Sequence, residues 1–151
     1  MSEIPLVRLL SMALRTGLEE LHQELELAGF PEIRPAHGYA LNAVSRGEAT
    51  ASQLAVGLGM TKQGAARVVQ HLLDTGYLEP GTDPVDARNR PLVLTRRGRA
   101  AVAASMRIQG DLERRWRKHV GAGDMRALLG SLETIVRAEN EGELPPVRPG
   151  W

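Results

Sequence analysis

Apolar residues near the start of the chain recur at spacings of three, four and seven: Val7, Leu14, Leu18, Leu21, Leu25 and Ala28, with Ile4 one step before. That spacing lines one side of an α-helix, so a long helix is predicted from Pro5 to Ala28, stopped by Gly29 and Pro31. The seam is heptad-like, the kind that packs along another helix. Leu6, Leu9, Leu10 and Met12 add apolar surface on its other faces. One partner helix would not cover all of it, which points to a second subunit.

Pro35 then suits the first position of a short helix running to Ser45, before Gly47 breaks the pattern. Thr50 and Gln53 make a capping box for another short helix reaching Val56, with Leu54, Ala55 and Leu58 turned inward. A tight turn over Gly57, Leu58, Gly59 and Met60 leads to Thr61, which caps a helix ending at Thr75 and Gly76. Its stripe is Ala65, Val68, Val69, Leu72 and Leu73; the opposite face carries Lys62, Gln63, Ala66, Arg67, Gln70 and Asp74. Two short helices joined by a glycine turn, the second polar near its start, read as a helix-turn-helix.

Tyr77 and Leu78 begin a strand, Pro80, Gly81, Asp83 and Pro84 make a turn-rich loop, and Leu92 to Leu94 form a second strand after Pro91. A hairpin placed there is a wing. Thr95 caps a long helix from Arg96 to Val120, carrying Val102, Met106, Leu112 and Trp116. A last helix is predicted from Asp124 to Asn140, with Met125, Leu128, Leu129, Leu132, Ile135 and Val136 inward. The remainder, Glu141 to Trp151, is rich in Pro and Gly and reads as a flexible tail. Its alternative role is an arm that docks Trp151 on a partner subunit.

At 151 residues with 42% apolar composition, the chain is sized for one domain with a real core. Aromatics are only 3%, so Leu, Val and Ala must build that core, which favours helices. The absence of cysteine excludes disulfides, thiolate metal sites and thiol redox sensing. No signal-peptide pattern opens the chain, and no apolar run approaches the roughly 18 residues of a membrane span, so a cytoplasmic protein without membrane contact is expected.

Net charge is +1, but its distribution is uneven. Between Met60 and Arg99 seven cations face four acids, while the remaining 12 cations are outnumbered by 14 acids. A basic stretch laid over a helix-turn-helix fits a polyanion partner. An α-helix enters the major groove, where Gln can pair with an adenine edge and Arg or Lys with guanine. Thr61, Lys62, Gln63, Arg67 and Gln70 are the candidate reading residues, and the helix N-terminus offers amides to phosphate. In the wing, Arg88 and Arg90 are candidates for the minor groove, with Asp86 holding an arginine in place. The plainer alternative is a solvated helix face and unrelated loop charges.

The stretch from Leu54 to Gly98 resembles the winged helix of the multiple-antibiotic-resistance regulator (MarR) family. The resemblance rests on Leu54-Ala55, Leu58-Gly59, Leu72, Gly76-Tyr77-Leu78, Asp86-Ala87-Arg88, Leu94-Thr95 and Gly98. It extends to the flanking helices and Trp116, roughly Pro5 to Ala138. It implies a homodimer with interlocked terminal helices, two recognition helices in successive major grooves, and a pseudo-palindromic double-stranded DNA operator. Three positions depart from the family pattern. Ala87 replaces an arginine of the wing, Pro80 stands where a basic residue is frequent, and Gly64 interrupts the recognition helix. Gly64 either permits close approach to DNA or simply weakens the helix.

Such regulators often release DNA when a small aromatic or phenolic effector enters between the dimerisation helices and the winged helix. Arg15, His22, His37, Tyr39 and Trp116 are the candidates to line that cleft, each with packing or surface exposure as its alternative. No metal, cofactor or catalytic residue is predicted. His22 and Glu26 share a helix face, but His37, His71 and His119 lie in separate segments, and no serine has a nucleophile context. A metal-sensing variant would show zinc affinity that depends on His22.

The fold expected is mainly α with a small β-hairpin wing (α+β), one domain over 1–151. Within it 34–99 is the winged helix-turn-helix, 1–30 and 100–140 are long dimerisation helices, and 141–151 is the tail. The function expected is a ligand-responsive, DNA-binding repressor. The alternative is a dimeric winged-helix adaptor for proteins that has lost its grip on DNA.

Overall fold

Helices form where capping residues precede apolar stripes, and the order is that of the sequence. The computed structural model describes residues 3–47, 50–82 and 90–147. It runs α1 (Leu6–Leu27), α2 (Pro35–Ser45), α3 (Ala51–Gly57), α4 (Lys62–Asp74), β1 (Leu78–Pro80), β2 (Leu92–Leu94), α5 (Arg96–Val120) and α6 (Ala122–Ala138). Threonine hydroxyls begin three of these helices. Thr50 accepts from the Gln53 amide, Thr61 from Gly64 and Thr95 from Gly98, each satisfying a backbone donor with no partner inside the helix.

The core lies where α2, α3 and α4 meet the hairpin and the start of α5. Leu25, Leu41, Leu54, Leu72 and Tyr77 are its largest fully buried side chains. Leu54, Ala55 and Leu58 of the first short helix and its turn are buried as expected, and so are Ala65, Val68, Val69 and Leu72 along α4. α3 packs on α4, α1 lies along α5, and α5 turns into α6. That last joint needs a glycine: Gly121 ends one helix and precedes the next at φ +92, a conformation side chains with a Cβ avoid.

The hairpin is a two-stranded antiparallel sheet pairing Leu78 with Leu94, Glu79 with Val93 and Pro80 with Leu92. Pro80 therefore belongs to the strand rather than the loop. A two-stranded ribbon has only edge strands, where a missing amide is tolerated. The wing residues Asp86, Ala87 and Arg88 lie outside the described residues, as does Trp151.

α6 departs from expectation in what it buries, while α1 leaves open the apolar faces that one partner helix was not expected to cover. α6 buries Met125, but Leu128, Leu129 and Ile135 stay about half exposed within one chain. In α1, Val7 is 78% exposed and Leu6 59%, with Leu9, Leu10, Met12 and Leu14 also open. Among the described residues no helix is long and apolar enough to cross a membrane.

Candidate functional site

The turn between α3 and α4 is closed by Met60 N–H donating to the Ala55 carbonyl at 2.9 Å and Gly59 N–H to Val56 at 3.1 Å. It sets α4 outward as the second helix of the pair. Lys62, Gln63 and Arg67 stand exposed on α4, and among the described residues they make no hydrogen bond or ion pair. Thr61 is exposed too, but its hydroxyl oxygen is taken up by the Gly64 amide at 3.0 Å. Gln70 is also engaged, its amide donating to Asp74 at 2.7 Å one turn on. Arg90 is exposed beside β2, whereas Arg88 falls outside the described residues.

Gly64 has a reason the sequence concealed. A Cβ there would come within 3.2 Å of the Thr61 hydroxyl oxygen and 3.3 Å of Met60 Cε. The glycine leaves room for the cap that starts α4.

The basic stretch divides into free and structural cations. Arg97 stacks over the Tyr77 ring at 4.7 Å and the Phe30 ring at 5.6 Å, and its Nη2 donates to Glu32 at 3.1 Å. Arg99 donates to the Leu94 carbonyl at 2.8 Å. Arg96 remains exposed. Tyr77 donates its hydroxyl to Glu32 at 2.7 Å. That hydrogen bond, with the Arg97 charge, holds the Glu32 carboxylate below its usual range, while burial and Glu32 push the Tyr77 phenol up to about 12. No local pattern marks Glu32, because its partners lie 45 and 65 residues away.

Between α1 and the start of α2 lies a cleft in two parts. The inner cavity, about 180 Å³, is walled by Leu18, Leu21, Leu25, Ile33, Leu41, Ala101 and Val102, with polar groups from His22, Tyr39, Asn42, Ser105 and Gln109. The outer part, about 650 Å³, is lined by Arg15, Glu19, His22, Gln23, Glu26 and Arg34 over an apolar floor. Leu14, Leu18, His22, Ile33 and Pro35 belong to both.

Of the residues named for this cleft, Arg15, His22 and Tyr39 line it. Arg15 is ion-paired with Glu19 at 2.7 Å, and His22 Nδ1–H donates to the Leu18 carbonyl at 2.6 Å. Burial raises the Tyr39 phenol. His37 and Trp116 line neither part. Trp116 lies against α1 at Gly17, where a Cβ would sit 3.5 Å from its ring. His37 turns instead toward α4 and stacks on His71, centroids 4.0 Å apart. Its Nδ1 accepts from the Arg34 amide at 3.0 Å. Burial, then the neighbouring His71, Arg34 and His22, holds it down at about 4, so it is neutral at pH 7. Among the described residues no group of three or more His, Asp or Glu is arranged to hold a metal ion.

A family model described as MarR family matches residues 33–89. The chain is 37% identical over 84 residues to the LexA repressor of Deinococcus radiodurans, and spans only 38% of that relative's length. The fold is close to that of reduced MarR from E. coli, with TM-score 0.76 and 24% identity, covering 90% of this chain and 99% of that one. It is also close to a MarR family protein of Mycobacterium tuberculosis in complex with salicylic acid, with TM-score 0.67 and 22% identity over 89% and 98% of the two chains. Residues 33–89 thus match the MarR family model, and the described residues share the fold of reduced MarR from E. coli.

Proposed function

We propose that this protein is a ligand-responsive repressor that binds a pseudo-palindromic operator as a homodimer. The observation that carries the reading is α4: a capped helix, set outward by a tight turn, whose Lys62, Gln63 and Arg67 are exposed and unengaged among the described residues. Thr61 and Gln70 flank them, the hydroxyl oxygen of the first and the side-chain amide of the second already in use, and Arg88 and Arg90 extend the contact from the wing. Two such helices related by a two-fold axis meet successive major grooves. Occupancy of that DNA then excludes polymerase.

Dimerisation is supported by the apolar surface that one chain leaves open on α1 and α6, with Leu6, Val7, Leu9 and Leu10 on one and Leu128, Leu129 and Ile135 on the other. On this reading 1–30 and 100–140 form the subunit interface, 34–99 binds DNA and 141–151 is a tail. The cleft supports effector binding. Apolar walls suit a small ring, while Tyr39, Ser105 and His22 offer groups to a phenol. A neighbour of the same fold is in complex with salicylic acid. An effector that prefers a dimer geometry unable to span two grooves shifts the population off DNA.

The test is fluorescence anisotropy of the protein on the duplex upstream of its own gene, beside a scrambled duplex, at several salt concentrations. Saturable binding that prefers the genuine sequence and weakens steeply with salt is expected, because phosphate contacts release counterions. Equal or salt-independent binding to both duplexes would refute the reading in favour of a protein-binding adaptor.

A further inference from the structure

Glu32 collects contacts from three elements distant in the chain. Its backbone carbonyl accepts from Nε2–H of His71 in α4 at 2.8 Å. Its carboxylate accepts from Tyr77, in the turn into β1, at 2.7 Å and from Arg97, at the start of α5, at 3.1 Å. Arg97 also donates to the Tyr77 hydroxyl oxygen at 3.0 Å, so the three side chains close a ring of bonds. The residues on either side of Glu32, Pro31 and Ile33 to Pro35, line the cleft. One short segment is therefore both a wall of the cleft and the anchor of the DNA-reading helix.

We propose that Glu32 is a positioning residue that transmits occupancy of the cleft to α4 and the base of the wing. Apolar packing lets elements slide, whereas hydrogen bonds fix direction. A donor stripped of its acceptor in a partly buried site is costly, so the three donors follow Glu32 when the wall moves. His71 lies one turn beyond Arg67, so a shift at His71 re-aims the reading face. The proposal rests on the cleft being the effector pocket and α4 the reading helix.

The absence of native cysteine supplies the test. Ser105→Cys places a single thiol in the inner wall, and N-phenylmaleimide fills the cavity there. The thiolate sulfur adds to the alkene, and the neighbouring carbon takes a proton. Hydrogen exchange over 62–80 and affinity for the upstream duplex are read with and without the label, in S105C, S105C/E32A, S105C/E32A/H71F and S105C/E32Q. In S105C the label should speed exchange about fivefold and weaken the duplex about tenfold. E32A removes the Tyr77 and Arg97 bonds but leaves the His71 bond to the Glu32 backbone carbonyl. S105C/E32A should therefore lose the label effect over 76–80, and S105C/E32A/H71F that over 62–74 and on the duplex as well, each falling below about twofold. E32Q, whose amide oxygen still accepts from Tyr77, should restore the effect over 76–80. Where E32A does not fold, Tyr77→Phe takes its place, removing the bond and keeping the ring.

Equal label effects over 76–80 in S105C and S105C/E32A would overturn the proposal, as would a label that leaves exchange over 62–80 unchanged. The exchange readout needs no DNA. Label-dependent exchange that requires Glu32, in a protein binding no duplex, would refute the regulator reading and support the coupling.

Discussion

Gly98 sits in the first turn of α5, buried beneath the turn that leads into β1. A Cβ at this position would lie 2.1 Å from the Tyr77 carbonyl oxygen, 3.1 Å from its carbon and 3.2 Å from Leu94 Cδ2. Ordinary contact needs about 3.5 Å, so Gly98→Ala must separate α5 from the hairpin by more than about 1 Å. Overpacking of that kind costs about 1–3 kcal/mol. The same movement stretches the bond from Thr95 N–H to the Tyr77 carbonyl, now 3.1 Å, which adds about 1 kcal/mol. The better helix propensity of alanine offsets up to about 1 kcal/mol. The net loss is about 1–4 kcal/mol, and a chain of this size should melt about 2–16 °C lower. Gly110 in the same helix is the control. Only Arg114 Nη1 lies near its Cβ position, at 3.5 Å, so Gly110→Ala should raise the melting temperature by about 1–4 °C. Differential scanning calorimetry of both variants checks this. Equal melting temperatures for G98A and G110A would refute the close-approach argument.

Thr61→Ala removes the hydroxyl that caps α4, which should cost about 1 kcal/mol and weaken the duplex as well, since the frayed turn carries Lys62 and Gln63; chemical denaturation and anisotropy measure the two effects. Gln63→Ala and Arg67→Ala should change which duplex is preferred, whereas Arg88→Ala should weaken every duplex containing the operator flanks and reduce the salt slope by about 1; unchanged binding in all three would discard the groove assignments. His37 takes up its proton near 4 when folded and near 6.5 when unfolded. Below about pH 6.5 the unfolded chain gains a proton that the folded one refuses, so His37 makes stability fall between pH 6.5 and 4. His37→Gln keeps an acceptor for the Arg34 amide and cannot titrate, so its melting temperature should vary less over that range. An unaltered pH profile would count against burial of the ring.

Helices, strands and turns could be read from the residues because their signals are local. The caps Thr50, Thr61 and Thr95, the stripe of α4 and the stop at Gly76 each act within a few residues. The candidate site was legible in the same measure: Lys62, Gln63 and Arg67 were placed on α4 from spacing, and the folded chain leaves them exposed. Gln70 shows the limit, because its amide is engaged by Asp74 and only coordinates reveal that choice.

What the sequence determined by itself was the order of elements and which face of each one is apolar. Only the tertiary structure decided which apolar faces one chain covers. Leu128 and Ile135 had the spacing of core residues, yet the described residues of the same chain leave them about half exposed. It also decided which charges are structural. Arg97 belonged to a basic stretch by count, but it stacks on Tyr77 and binds Glu32. His37 had the chemistry of a cleft residue and turned to His71 instead. The physical reason is range. Helical periodicity reports direction around one axis, while a hydrogen bond or ring stack needs two distant segments brought within a few ångströms, and that register is set by the packing of the whole core.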